Sequence, residues 1–313
     1  PSTQSSSQLE TLNQRSALWC TALVGTLTGS GSIPFEGSPS KMPLSLQIKK
    51  LDFSKLSGNV DFKGLMDVSS RFHGSLQNPQ IILQLNSNKI DFDGNVASDV
   101  SCVFSMNKKN LTIEGYFNYN DYEKLKLKGD AVFKENVINI SAVKLIHEGN
   151  VLINVAGIYN LKNKMMEIAS DINDLKISSM GIKPVKGKDI EGKVNGKVVI
   201  NGTSASPDIE AVFDVPEFMV QKKKNFFHCK INYKNNSIKF SELFFNDNLT
   251  GNGEFSLKNR IFNLTLDIKK FPGYVLKEFT GLDLFNNGVM DGTIFINKQN
   301  DGYGGNIAIE STY

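Results

Sequence analysis

The sequence predicts an all-β fold of mostly antiparallel sheet, built of repeats and carrying few short helices. Three observations predict it: alternation of apolar and polar residues, short Lys/Asn links between the alternating runs, and an internal repeat.

Leu44, Leu46 and Ile48 alternate with Ser45, Gln47 and Lys49, and Leu125 and Leu127 sit between Lys124, Lys126 and Lys128. Phe262, Leu264, Leu266 and Ile268 alternate with Asn263, Thr265, Asp267 and Lys269. Successive strand side chains point to opposite faces, so each run has one apolar and one wet face. Parallel strands covered on both faces would read as continuous apolar runs, so an antiparallel sheet with one solvated side is expected. The links agree. Asn107-Lys108-Lys109-Asn110, Lys134-Glu135-Asn136, Lys162-Asn163-Lys164, Lys234-Asn235-Asn236 and Lys258-Asn259-Arg260 separate alternating runs. Asn tolerates positive φ and bonds its own backbone, which suits tight hairpin loops. Helical periodicity is confined to one short candidate, Tyr274 to Thr280, which follows Pro272-Gly273 and is stopped by Gly281.

Gly64, Gly74, Ser75 and Pro79 recur as Gly192, Gly202, Thr203 and Pro207 at a constant offset of 128 residues. A third copy begins at Gly288, 96 residues after Gly192, and loses the pattern beyond Asn297. The glycine ends a strand where the backbone must bend, and the hydroxyl bonds the freed backbone. The proline then sets φ where the next strand starts, without removing a ladder bond.

These motifs resemble the middle regions of the AsmA-like (TamB) family, which repeat Gly, strand, Gly-Ser/Thr, three residues, Pro, strand. The segments Leu51 to Leu56 and Leu175 to Ile177 share the likeness, which covers roughly residues 24 to 313. The resemblance implies an elongated, twisted sheet folded lengthwise into a β-taco-like groove. It implies the periplasm of a diderm bacterium, with an inner-membrane anchor in the full-length protein outside this chain. It further implies intermembrane transport of phospholipid, whose acyl chains run along the groove, a part in outer-membrane biogenesis, and an outer-membrane barrel protein as partner.

Composition bounds the rest. Of 313 residues, 40% are hydrophobic and 21% charged, which is a folding sequence. A net charge of +3 and singly scattered lysines argue against a nucleic-acid partner. Cys20, Cys102 and Cys229 are odd in number and far apart, which excludes a disulfide framework and any Cys-based zinc spacing. The least polar stretch, Ala17 to Leu27, is too short to span a membrane as a helix. Residues 1–23 are expected to be a polar, disordered end and 24–313 a continuous β region, with repeat cores at about 44–106, 172–233 and 264–313. The chain opens on Pro1 and stops at Tyr313 within an alternating segment, which reads as a fragment of a longer protein.

No residue constellation points to catalysis, a cofactor or a metal, and an enzyme is not expected. Gly187 to Lys193 resembles the start of a phosphate-binding loop, but Val194 stands where that loop needs Ser or Thr. A strand also follows it where a helix is required. Adjacent His228 and Cys229 face opposite ways on a strand and cannot readily chelate one ion, and His73 and His147 lack ligand-like neighbours. Lys222-Lys223-Lys224 reads as a solvated hairpin tip, with anionic headgroup contact as the second reading.

The apolar face therefore carries the candidate site. Its expected groove-lining residues are Leu44, Leu46, Ile48, Leu83, Leu85, Phe104, Leu125, Leu127, Phe213, Phe240, Phe262, Leu264 and Leu266. Alternation alone does not decide between a lipid groove and a filled sandwich core. Two other readings stay open: an adhesin-like β-sandwich scaffold, and an outer-membrane β-barrel or assembly factor.

About twenty strands spaced by roughly 4.8 Å would extend on the order of 90 Å. Small-angle scattering from the chain should then give a strongly elongated particle; a near-spherical one contradicts the expectation.

Overall fold

The computed structural model describes residues 18–22, 25–32, 43–52, 62–75, 78–92, 94–180, 191–220, 222–275, 288–299 and 302–312. The described chain is all-β and antiparallel, and it falls into two compact units. The first comprises Pro1–Glu135 and Asn139–Asn150, the second Asn136–Ile138 and Val151–Tyr313.

The first unit carries β1 (Leu18–Ala22), β2 (Gly25–Ser30), β3 (Leu44–Asp52), β4 (Phe62–Gly74), β5 (Pro79–Phe92), β6 (Asn95–Asn107), β7 (Asn110–Tyr119), β8 (Tyr122–Lys134) and most of β9 (Val137–His147). From β1 to β8 each strand pairs antiparallel with its neighbour in sequence. Strand β1 corrects the expectation of a disordered end over 1–23. The run Leu18-Trp19-Cys20-Thr21-Ala22 has enough β-forming residues to pair with β2, from Leu18 opposite Gly29 to Ala22 opposite Gly25. Residues 1–17 lie outside the described residues.

The second unit carries β10 (Asn150–Asn160), β11 (Met165–Lys176), β12 (Lys193–Thr203), β13 (Ser206–Val220), β14 (Lys223–Lys234), β15 (Ser237–Phe245), β16 (Leu249–Ser256), β17 (Ile261–Pro272), β18 (Val289–Gln299) and β19 (Gly302–Thr312). These again pair antiparallel, each with its sequence neighbour. A short 3-10 turn, Ile177–Met180, follows β11. Of the helix expected at Tyr274 to Thr280, residues 273–275 are helical and the remainder lies outside the described residues.

The repeated linker is a tight turn. Gly74 ends β4 and pairs with Pro79, which opens β5, whereas Gly202 and Pro207 pair one residue inside the ends of β12 and β13, which close on Thr203 opposite Ser206. The Ser75 Oγ accepts a hydrogen bond from the Asn78 amide at 3.3 Å, and the Thr203 Oγ1 accepts one from the Ser206 amide at 3.1 Å. Both glycines have positive φ, 85° and 95°, where a side chain would run into the carbonyl of Asn78 or Ser206. At the β14–β15 link Asn235 and Asn236 have φ of 51° and 59°, which matches the right-handed twist of the flanking strands.

A second device recurs with the repeat. Strands β3, β11 and β17 each carry an extra residue, between Ile48 and Leu51, Ile172 and Leu175, and Ile268 and Phe271. The bulge residues Lys50, Asp174 and Lys270 have φ of 54°, 50° and 47°. A non-glycine residue there costs about 1–2 kcal/mol. Its exposed amide finds a carbonyl or carboxylate oxygen on the next strand: Lys50 donates to Asp67 Oδ1 at 2.8 Å, Asp174 to Asn195 Oδ1 at 2.9 Å, and Lys270 to Asp291 Oδ1 at 2.9 Å. The acceptors stand three residues after Gly64, Gly192 and Gly288, so the G-x-x-Asp/Asn element of all three copies caps a bulge. The residue before each acceptor, Met66, Val194 or Met290, is buried. A bulge bends its strand and increases the twist.

Asp291→Ala should lower stability by about 0.5–1.5 kcal/mol by exchanging the bond to the exposed Lys270 amide for one to water. Lys270→Gly, which relieves the backbone penalty, should leave stability unchanged or raised; urea unfolding of both variants checks this.

Candidate functional site

Register gathers the expected groove residues on one face within each unit. In the first unit Leu44 is opposite Phe72, Ile81 follows across β5, and Met106 and Leu111 continue the row. The next row runs Leu46, Ser70, Leu83, Phe104, Ile113 and Gly129, and the third Ile48, Val68, Leu85, Cys102, Gly115 and Leu127. Leu125 shares that face, opposite Phe117. In the second unit Phe213 is opposite Gly196 and Cys229. Phe240, Gly253, Leu264 and Ile296 form one row, Gly251, Leu266 and Ile294 another, and Phe255 with Phe262 a third.

The depth of these residues varies, and alternation does not encode it. Leu46 and Phe104 are 41% and 38% exposed. Leu44, Ile48, Leu83, Leu85 and Leu127 are half-buried, as are Phe213, Phe240, Phe262, Leu264 and Leu266. Leu125 is the exception: at 1% exposure, near the equally buried Tyr122, it is a core residue and not a lining one. The correction follows from its position at the bulged end of its strand.

The two margins of the face differ. At the margin that carries the bulges, Met66, Tyr122 and Leu125 are buried in the first unit, while Phe92 at the end of β5 is 50% exposed. In the second unit Ile177, Val194, Val215, Phe218, Val220, Phe245, Ile268, Phe271, Val275 and Met290 form one buried cluster. Val275 comes from the helical turn after β17 and Ile177 from the 3-10 turn, so both connections fold onto the sheet. A buried Asn225 ties them in, accepting from the Tyr274 hydroxyl at 3.3 Å and the Asn246 amide at 3.0 Å, and donating to the Phe218 carbonyl at 3.2 Å.

At the opposite, hairpin margin of the first unit the same face is open. In the first unit a cavity of about 420 Å³ lies there, lined by Ile81, Leu83, Phe104, Met106, Leu111, Ile113, Ala131 and Val143, with little polar lining. Gly129 forms part of its floor, and a Cβ there would meet Ile113 and Val143 methyls at 2.7 and 2.8 Å. The sequence reading missed Ile81, Met106, Leu111, Ile113 and Val143, although Leu111 and Ile113 alternate with Thr112 and Glu114 and carried the signal.

The other face is wet and charged. Lys126 bonds Glu114 at 2.8 Å and holds that exposed carboxyl below the usual carboxylate range, while its own ammonium is raised by the same bond. Lys230 is raised by its hydrogen bond to Glu210, at 2.9 Å. His228 faces Asp214 at 2.7 Å on this side. Burial pushes the Cys102 and Cys229 thiols up, which makes poor nucleophiles of both. Among the described residues no group of three or more His, Cys, Asp or Glu has metal-holding geometry, and no helix is long and apolar enough to cross a membrane. Of the phosphate-loop-like segment, Gly187 to Ile190 lies outside the described residues, and Lys193 begins a strand.

The chain matches no family model, no curated protein and no solved structure.

Proposed function

We propose that the apolar face is a groove that conducts the acyl chains of phospholipid, and that the protein is a lipid-transport protein and not an enzyme. The observation that carries the reading is the open half of the face: Leu46 and Phe104 remain exposed, and an apolar trough of about 420 Å³ opens beside the β6–β7 hairpin. That volume falls within the range of about 300–1,000 Å³ usual for small-molecule sites. Each methylene taken from water contributes about 0.8 kcal/mol, so the hold on a chain grows with the length of it that lies on the apolar face. The lining is aliphatic and aromatic from row to row, which makes neighbouring positions similar in energy and lets a chain slide. The resemblance to the AsmA-like (TamB) family supports the same reading, with its periplasmic setting and its outer-membrane barrel partner.

The buried cluster of the second unit favours a second reading, an adhesin-like β-sandwich scaffold whose face is simply a core.

Photo-reactive residues at Leu127 and Leu264, with one at the outward Lys239 as control, separate the two. After incubation with phospholipid vesicles the first two positions should yield lipid adducts and the control none. Absence of adducts from Leu127 and Leu264 in the folded protein rejects the groove and leaves the scaffold.

A further inference from the structure

The lysines look scattered in the sequence, but the meander brings several of them to the margin at which the trough of the first unit opens. Because every strand pairs with its neighbour, alternate connections fall on the same margin, and links two strands apart stand roughly 10 Å from one another. Within each unit the Lys/Asn links fall on the hairpin margin, which in the first unit is the margin where the trough opens. In the first unit Lys108 and Lys109 form the tip between Met106 and Leu111, both of which line the trough. In the second unit Lys162, Lys164, Lys258 and Arg260 occupy the corresponding tips. All six are exposed, and none forms an ion pair among the described residues. Lys234, on the same margin, is already held by Asp208 at 2.5 Å, and Lys134 is followed by Glu135.

The bulged margin also bears exposed lysines outside any ion pair among the described residues, Lys50, Lys89 and Lys124 in the first unit, but the face beside them is filled by buried Met66, Tyr122 and Leu125 and the trough opens at the other margin. In the first unit the tips of the bulged margin's connections include Asn120-Asp121 and Glu148-Gly149. In the second, two of the three lysines of the Lys222-Lys223-Lys224 tip are engaged: Lys224 bonds Glu217 at 2.8 Å and Lys223 lies 4.3 Å from the centre of the Tyr274 ring. Uncommitted cations therefore stand where an acyl chain would enter the face, and where its headgroup would remain in water.

We infer that the hairpin margin selects lipids with anionic, phosphate-bearing headgroups, which its uncommitted Lys and Arg tips hold while the acyl chains lie on the apolar face. This rests on the groove reading above and names its substrate class. Charge complementarity carries it: an apolar strip edged by free cations fits an amphiphile with an apolar tail and an anionic head. A zwitterionic or uncharged head gains less from the same tips.

The test uses the whole chain with the photo-reactive residue at Leu127, and vesicles of phosphatidylglycerol, phosphatidylcholine or diacylglycerol. The wild type should give most adduct with phosphatidylglycerol. In Lys108→Gln/Lys109→Gln, whose exposed tips leave the thermal midpoint unchanged, the phosphatidylglycerol adduct should fall by roughly fivefold for each cation removed. The diacylglycerol adduct should not change. Raising the salt to a few tenths molar should mimic the variant, since exposed charges are screened. Equal adducts with all three lipids, or a variant with the wild-type preference, overturns the inference and leaves the groove standing. No adduct with any lipid removes the groove and the inference together.

Discussion

The bulge capped from the neighbouring strand is the interaction on which the rest of this structure depends. An antiparallel ladder without it would keep the same spacing from end to end, and both margins of its apolar face would be alike. Inserting one residue at Lys50, Asp174 and Lys270 bends each strand near one end only. The bent backbone exposes an amide, and Asp67, Asn195 and Asp291 accept from it. The insertion also preserves the pattern: Ile48 and Leu51, Ile172 and Leu175, Ile268 and Phe271 stay on the apolar face across the extra residue. Curvature is thus gained without turning a hydrophobic side chain into water.

The asymmetry of the face follows. On the bulged side the apolar residues bury one another and the connecting turns fold over them, with Val275 and Ile177 as the clearest cases. On the hairpin side the links are too short to cover anything; Asn107 and Asn110 are themselves a pair, with only Lys108 and Lys109 between them. A face closed along one margin and open along the other is a trough. Its charges are arranged to match, because short solvated tips favour Lys and Asn and the open margin consists of such tips.

Much of this was legible in the sequence. Alternation placed all thirteen expected residues on the apolar face of their unit, because a period of two leaves no freedom of side once the register is set. The Gly-Ser/Thr-x-x-x-Pro spacing marked two strand junctions through the needs of its turn. Three things were hidden. Depth was one, since Leu125 and Leu127 alternate identically and only their distance from the bulged margin makes the first a core residue. The bulge was another: its positive-φ residues are Lys and Asp, not Gly, and each cap lies 17 or 21 residues away, on a partner strand known only from the register. The placement of Lys108 and Lys109 beside the trough was the third, because it depends on which side chains the neighbouring strands bring to the β6–β7 tip.

The central claim is that one strand crosses from an open to a closed part of the same face, and β17 allows it to be tested directly. With the native cysteines replaced, Leu264→Cys and Ile268→Cys would be exposed in turn to an apolar maleimide in the folded protein. Leu264 is half-buried on the hairpin side of the bulge, and Ile268 is 6% exposed at its start. The account predicts rapid modification at position 264 and strong protection at 268. Equal protection at both positions would mean a filled core along the whole strand, and would contradict the open trough.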